Sequence, residues 1–151
     1  VANKETEVRQ NYKSFHPITT RWHDNDLYGH VNNVVYYSYF DSAANAYLIE
    51  EGGLDIHNGS TIAYVVNSHC NYHSAIAYPE KIEAGLRVDK LGTSSVTYGI
   101  AIFREKENQA AANGQFIHVF VDRESGKPVP IPDKIRTALE AILVTRMAKS
   151  V

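Results

Sequence analysis

Between Arg21 and Asn33 the chain gathers Asp24, Asp26, His30, Asn32 and Asn33 into one short segment that also holds Gly29. Acids and amides at that density suit chemistry on a carbonyl group. A carboxylate there can activate water or attack the carbonyl carbon itself. A helix is expected immediately downstream, and a helix start presents unpaired N–H groups and a partial positive charge. Those groups can stabilise an oxyanion developing on the carbonyl. Asp26 lies just upstream of them, and Gly29 would let the backbone come close to a substrate. The same residues also suit a plain tight turn with a helix cap, and pattern alone leaves both readings open.

Other chemistry finds weaker support. His23, Asp24, Asp26 and His30 are of the types that hold zinc or iron, but their spacing matches no established ligand motif. His69 and His73 would lie about 13 Å apart on a strand rising ~3.3 Å per residue, too far to share an ion. No metal is expected. Cys70 alternates onto the face of Ile62, Tyr64, Val66 and Tyr72, which suits a buried, inert thiol better than a nucleophile. Ser125-Gly126-Lys127 resembles the tail of a phosphate loop but lacks its upstream glycine and its following helix.

The elements that must position Asp26 can be read from periodicity. Phe15 to Trp22 suits a strand starting at Pro17, and His23 to Gly29 a loop. The spacing of Tyr36, Phe40, Ala43 and Tyr47 predicts a helix starting near Asn32 or Asn33, capped by either, with Val35, Tyr39 and Ala46 beside the stripe. Gly52-Gly53 stops it. Thr61 to Ala75 alternates, with His69 and His73 on the face opposite Cys70. Strands are then expected from Pro79 to about Lys90, from Ser95 to Arg104 and from Gly114 to Asp122, with Leu91-Gly92-Thr93-Ser94 as a turn. Asp133 is expected to cap a last helix that has Ile135, Leu139, Ile142 and Leu143 on one face and basic residues at its end. Residues 1–13 read as a polar lead-in, partly helical or disordered. Strands in succession favour an antiparallel sheet covered by the early helix, an α+β fold in a single domain spanning 1–151. The sheet face left over needs a partner, so a homo-oligomer is expected.

Composition narrows the function classes. The chain has 151 residues, enough for one domain with a real core. Its 15 Lys and Arg stand against 17 Asp and Glu, so no nucleic-acid partner is expected. One cysteine cannot form an internal disulfide. Val1 to Arg9 lacks the apolar core of a signal peptide, and no apolar run reaches the roughly 18 residues of a membrane helix. The expectation is a cytoplasmic protein with no membrane association.

The segment Arg21-Trp22-His23-Asp24-Asn25-Asp26-Leu27-Tyr28-Gly29-His30-Val31-Asn32-Asn33, followed by Tyr36, resembles the active-site signature of the 4-hydroxybenzoyl-CoA thioesterase family. The likeness extends to Leu91-Gly92-Thr93-Ser94-Ser95 and to Pro130-Ile131-Pro132-Asp133-Lys134-Ile135-Arg136. It implies a hot-dog fold, an antiparallel β-sheet curled around one long central helix, with a short C-terminal helix. It implies an acyl-CoA thioesterase with Asp26 as nucleophile or general base. Backbone N–H groups near Asn33 and Val34 would polarise the thioester carbonyl, with Gly29 and His30 shaping the loop. Tyr36 and the face carrying His73 would line the acyl group. Gly92, Thr93 and Ser94 would lie near the pantetheine or phosphate end, with Lys90 and Arg104 as further candidates for the phosphates. Coenzyme A enters as part of the substrate, no separate cofactor is implied, and the family's members are dimers or tetramers. The alternative is a non-catalytic module that binds acyl-CoA or acyl carrier protein; a hot-dog dehydratase fits the position of the acid less well.

Overall fold

A computed structural model of the chain describes residues 7–144. Its elements run β1 (Ser14–Thr19), α1 (Val35–Glu50), β2 (Thr61–Tyr72), β3 (Lys81–Leu91), β4 (Ser95–Arg104), β5 (Ala112–Asp122) and α2 (Asp133–Glu140). The five strands make one antiparallel sheet in the order β1-β3-β4-β5-β2. Only β3, β4 and β5 follow one another as hairpins. β2 crosses over to pair with β5 and becomes an edge. The α+β hot-dog arrangement expected from the sequence is the observed one.

The core lies between α1 and one sheet face. Helix residues Tyr36, Tyr39, Phe40, Ala43, Ala44 and Leu48 pack on the inward residues of β3, β4 and β5, including Leu86, Ile100, Ile102, Phe116 and Phe120. Alternation along β5 follows the pleat, so Phe116, His118 and Phe120 point inward and their neighbours outward. Ile135, Leu139 and Ile142 join the same core from the C-terminal end, whereas Leu143 is exposed.

Several boundaries differ from expectation for identifiable reasons. Pro17 lies inside β1 rather than at its start, which an edge strand tolerates because its outer N–H groups need no partner. α1 begins at Val35, and its preceding residue Val34 already has helical angles. Asn32 still acts as the cap, since its Oδ1 accepts from the Val34 N–H at 3.2 Å. The helix ends at Glu50, and Gly53 takes the left-handed turn beyond it at φ +68°. Asp133 is the first residue of α2 and makes no cap bond. In β2 the pairing slips between Val65 and Asn67, so Val66 is a bulge. That one extra residue breaks the single alternation read from the sequence. Cys70 and Tyr72, opposite Gly114 and Ala112, face the helix. Ile62 and Tyr64, opposite Val121 and Val119, face outward.

The lead-in also differs. From Glu7 it straps the outer sheet face, with Ala110 N–H donating to the Glu7 carbonyl and Lys13 N–H to that of Leu86. Tyr12 is buried there with Ala101, Phe103 and Ala110. The Arg87 guanidinium lies 4.5 Å from the Tyr12 ring and pairs with Glu7 and Asp89. Val1–Thr6 and the basic residues Arg146 and Lys149 lie outside the described residues.

Two buried polar groups matter for stability. Asp24 is 1% exposed and is the acceptor for Tyr39 Oη at 2.8 Å, for Arg21 N–H at 2.9 Å, and for the Arg21 guanidinium at 3.0 Å. Burial alone would raise its carboxyl, but the bonds from Tyr39 and from Arg21, with the guanidinium charge, outweigh burial and hold it below 3.8. His118 is 1% exposed between the Tyr98 and Phe116 rings, and its Nδ1 has no partner among the described residues. Burial depresses it from 6.5 to about 4.

Tyr39→Phe is expected to lower urea-unfolding stability by about 1.5–3 kcal/mol at neutral pH, the scale of a hydrogen bond to a charged group. Because Asp24 is depressed in the folded state, its contribution is complete above the ordinary carboxylate range and is lost as pH falls below 3.8. The deficit of Tyr39→Phe should therefore shrink in acid. His118 gives a second slope at higher pH. Between about 4 and 6.5 the unfolded chain binds the imidazole proton and the folded chain does not. Stability should rise with pH across that window by on the order of 3 kcal/mol, and a His118→Leu variant should lack the rise. Urea titrations from pH 4 to pH 8 on both proteins measure it.

Candidate active site

The loop that carries Asp26 is built as a small closed hairpin. Asn25 and Val31 pair as a bridge, Asn32 N–H donates to the Asp24 carbonyl at 2.9 Å, and Asp26 N–H to the His30 carbonyl at 2.9 Å. Gly29 N–H returns to the Asp26 carbonyl at 3.0 Å. Closing that turn puts Gly29 at φ +82°, where a side chain would be strained. The rest of the chain holds the hairpin from two sides. Val31 N–H donates to the Ile76 carbonyl at 2.7 Å, and Asn25 Oδ1 accepts from Tyr78 N–H at 3.0 Å.

The two nearby acids are thereby separated. Asp24 is buried and its oxygens are occupied by Arg21 and Tyr39. Asp26 is half-buried, and its Oδ1 accepts from Tyr28 N–H at 2.8 Å. Asp24 is a structural anchor. Asp26 keeps acceptor capacity on the solvent side, which a general base or nucleophile requires.

At the helix start, the two N–H groups expected to act together are in different states. Val34 N–H is held by Asn32 Oδ1. Asn33 N–H has no acceptor among the described residues, and Asn33 itself is exposed. The peptide unit that carries Asn33 N–H is fixed at its other end, because the Asn32 carbonyl accepts from Val35 N–H at 2.9 Å. The next unit is pinned by Tyr72, whose Oη donates to the Asn33 carbonyl at 3.0 Å. Asn33 therefore presents an oriented, unpaired donor, while Val34 would have to release Asn32 to serve as one.

The remaining site residues divide into groups. Tyr36 is buried next to this region, with its ring 5.1 Å from Tyr72 and 6.0 Å from Tyr39. His30 is exposed and contributes its carbonyl to the hairpin. His73 does not join Tyr36. Its Nε2 lies 2.6 Å from Asn113 Oδ1, and Asn113 belongs to the outward residues of β5. Lys90, Gly92, Thr93 and Ser94 are not brought to Asp26 within one chain. β1 ends at Thr19 opposite Lys81, so the Asp26 loop leaves the sheet at the start of β3. The Gly92–Ser94 turn follows Leu91, at the other end of that 11-residue strand, a span of about 33 Å. There the Gly92 carbonyl accepts from Arg136 at 2.5 Å and the Thr93 carbonyl from Ile131 N–H at 2.9 Å. Cys70 is half-buried on the helix side, and burial pushes its thiol up to about 11, away from nucleophilic use. No cluster of three metal-ligating side chains occurs among the described residues.

Sequence reasoning did not find Tyr39, Tyr72, Asn25 or the 74–80 segment as parts of the site. The two tyrosines fell into apolar stripes, where nothing marks the destination of a hydroxyl. The site is also open. Leu27 and Tyr28 at the hairpin tip and Val34 beside it are exposed apolar side chains. No helix is long and apolar enough to cross a membrane among the described residues.

Residues 20–139 match the Thioesterase-like superfamily. The PA5185 protein of Pseudomonas aeruginosa strain PAO1, known from its crystal structure, is 54% identical, with a TM-score of 0.92 over 94% of this chain and 99% of that one. The DHNA-CoA thioesterase of Staphylococcus aureus is 26% identical, with a TM-score of 0.73 over 85% of this chain and 87% of that one. YsmA of Bacillus subtilis strain 168 is 26% identical over 140 residues, 93% of this chain and 92% of its own. With the matched region running from the foot of the Asp26 hairpin to the end of α2, the chain belongs to the thioesterase-like superfamily.

Proposed function

We propose that the protein hydrolyses acyl-CoA thioesters to a free acid and CoA, with Asp26 as the working carboxylate. Membership of the thioesterase-like superfamily supports thioester hydrolysis in general. The observation that carries the finer reading is the separation of the two acids. Asp24 is consumed by structure, and Asp26 stands half-buried on a closed hairpin upstream of Asn33, whose N–H has no acceptor among the described residues. The thioester carbonyl oxygen would be held by Asn33 N–H. Asp26 would then deprotonate a water that attacks the carbonyl carbon, or attack that carbon itself to give an anhydride that water opens. In both routes the C–S bond breaks and the CoA thiolate leaves. The resemblance of the Arg21–Asn33 segment to the 4-hydroxybenzoyl-CoA thioesterase signature supports the same assignment.

Replacing Asp26 by Asn should leave the fold intact and reduce turnover of CoA thioesters by two orders of magnitude or more, on the scale of about 10²–10⁴ for a general base. Release of free thiol from a panel of aliphatic and aromatic CoA thioesters is the measurement. Full activity of Asp26→Asn would refute the site. Tight binding of the panel by the wild-type protein without thiol release would favour a binding module instead.

The functional unit in this proposal is a homo-oligomer built along β2. β2 is a sheet edge of 12 residues, with Tyr64, Val65 and Val66 between 44% and 58% exposed. The opposite edge, β1, has 6 residues and contains Pro17, which blunts pairing. A second copy laid antiparallel on β2 would bring its far end, with Lys90 and Gly92–Ser94, to the Asp26 end of the first. It would also cover Leu27, Tyr28 and Val34. Sedimentation should give a dimer or a dimer of dimers for the 16.9 kDa chain. A Val65→Lys, Val66→Lys variant should shift it to a folded, inactive monomer. A monomeric, fully active wild-type protein would exclude this arrangement.

A further inference from the structure

We infer that the segment 74–80, clamped at both ends by Arg104, is the splint that positions Asp26, and that Arg104 and Asn25 are positioning residues for the reaction. The inference rests on the reading of Asp26 as the working carboxylate.

The geometry starts from one guanidinium. Arg104 Nε donates to the Glu80 carboxylate at 2.8 Å and Nη1 to Ser74 Oγ at 2.9 Å, while Nη2 donates to the Ala75 carbonyl. A planar fork with five donors can hold several acceptors in fixed directions at once. Here it ties the first two residues of the segment to its last. Glu80 is held a second time, because its carbonyl accepts from Thr20 Oγ1 at 2.7 Å just ahead of the Asp26 loop. Ile76 is fully buried and pins the middle of the segment to the core.

The clamped segment then reaches both shoulders of the hairpin. The Ile76 carbonyl takes the Val31 N–H, and the Tyr78 N–H meets Asn25 Oδ1. Asn25 and Val31 are the bridge pair that flanks Asp26 through His30. Trp22 adds an edge contact to Tyr78 with ring centroids 6.0 Å apart. Asp26 thus hangs between two points that are both set by the same segment. Arg104 touches neither Asp26 nor the hairpin, yet it fixes the ends of what holds them. Its hydrogen bonds to Glu80, Ser74 and Ala75, with a further contact to Glu107, are internal, so phosphate binding is not its role.

The test is steady-state kinetics on Arg104→Met, Arg104→Lys, Asn25→Ala and the Arg104→Met, Asn25→Ala pair, with Asp26→Asn alongside. Misplacing the carboxylate by about 1 Å is expected to lower kcat by roughly 10- to 100-fold in Arg104→Met and Asn25→Ala, with KM little changed. Arg104→Lys keeps the charge toward Glu80 but lacks the fork, so its kcat should fall between wild type and Arg104→Met. Because both residues act through one segment, the paired variant should lose much less than the product of the single losses. Circular dichroism checks that each variant is folded at the assay temperature. If Arg104→Met does not fold, Asn25→Ala decides alone: a lowered kcat supports the splint, and wild-type kcat overturns it. Folded Arg104→Met with wild-type kcat beside an inactive Asp26→Asn overturns the inference and leaves the site standing. An active Asp26→Asn overturns both.

Discussion

A carboxylate taken out of water must have its oxygens occupied, and the Asp24 site meets that demand with groups from two directions. Arg21 supplies a backbone N–H and a guanidinium from the same short turn. Tyr39 supplies a hydroxyl from the second turn of α1. The bond from Tyr39 crosses from loop to helix, so the chain entering the hairpin and the helix leaving it cannot drift apart. That tether sets where the hairpin begins relative to α1 and occupies Asp24, while the segment 74–80 holds the two shoulders on either side of Asp26.

The sheet imposes the second constraint. Because β2 crosses over to β5, its outer edge is left long and without a paired strand among the described residues, with Tyr64, Val65 and Val66 exposed along it. The same crossover brings Tyr72, at the end of β2, to the Asn33 carbonyl. The edge that calls for a partner is thus directly beside the candidate site. The opposite end of the sheet carries Lys90 and the Gly92–Ser94 turn, too far away to serve Asp26 in its own chain. An antiparallel pairing of two β2 edges reverses one chain against the other and resolves both facts with one interface, which is the oligomer proposed.

Much of the fold was legible because it follows from short-range rules. The period of Tyr36, Phe40 and Ala43 marked α1, Gly52-Gly53 marked its end, and the turn at Gly92 separated β3 from β4 where expected. What escaped depends on distant parts of the chain. The bulge at Val66 arises from pairing with β5, and no local residue announces it. It put Ile62 and Tyr64 on the face opposite Cys70 and Tyr72, with which the alternation had grouped them. Tyr12 looked like part of a polar lead-in because its apolar partners Ala101 and Phe103 are remote in sequence. In the candidate site, residue type and order marked the loop with Asp24, Asp26 and Gly29, and the family resemblance alone pointed to Asp26 over Asp24 and to the N–H groups near Asn33. The division between Asp24 and Asp26 could not be read from spacing, since it depends on a hydroxyl 15 residues downstream. His73 was grouped with Tyr36 although the two point to different faces of the sheet.

The proposed chemistry places one atom very closely. In a crystal structure with a non-hydrolysable CoA analogue, in which a methylene replaces the thioester sulfur, the carbonyl oxygen should lie about 2.7–3.1 Å from the Asn33 nitrogen. The Asp26 carboxylate should face the carbonyl carbon directly or across one water, and the nucleotide end should run toward the Lys90 and Gly92–Ser94 region of a second subunit. An analogue bound with its carbonyl away from Asn33, or with Asp26 turned from it, would contradict the assignment of this hairpin and helix start as the site of thioester cleavage.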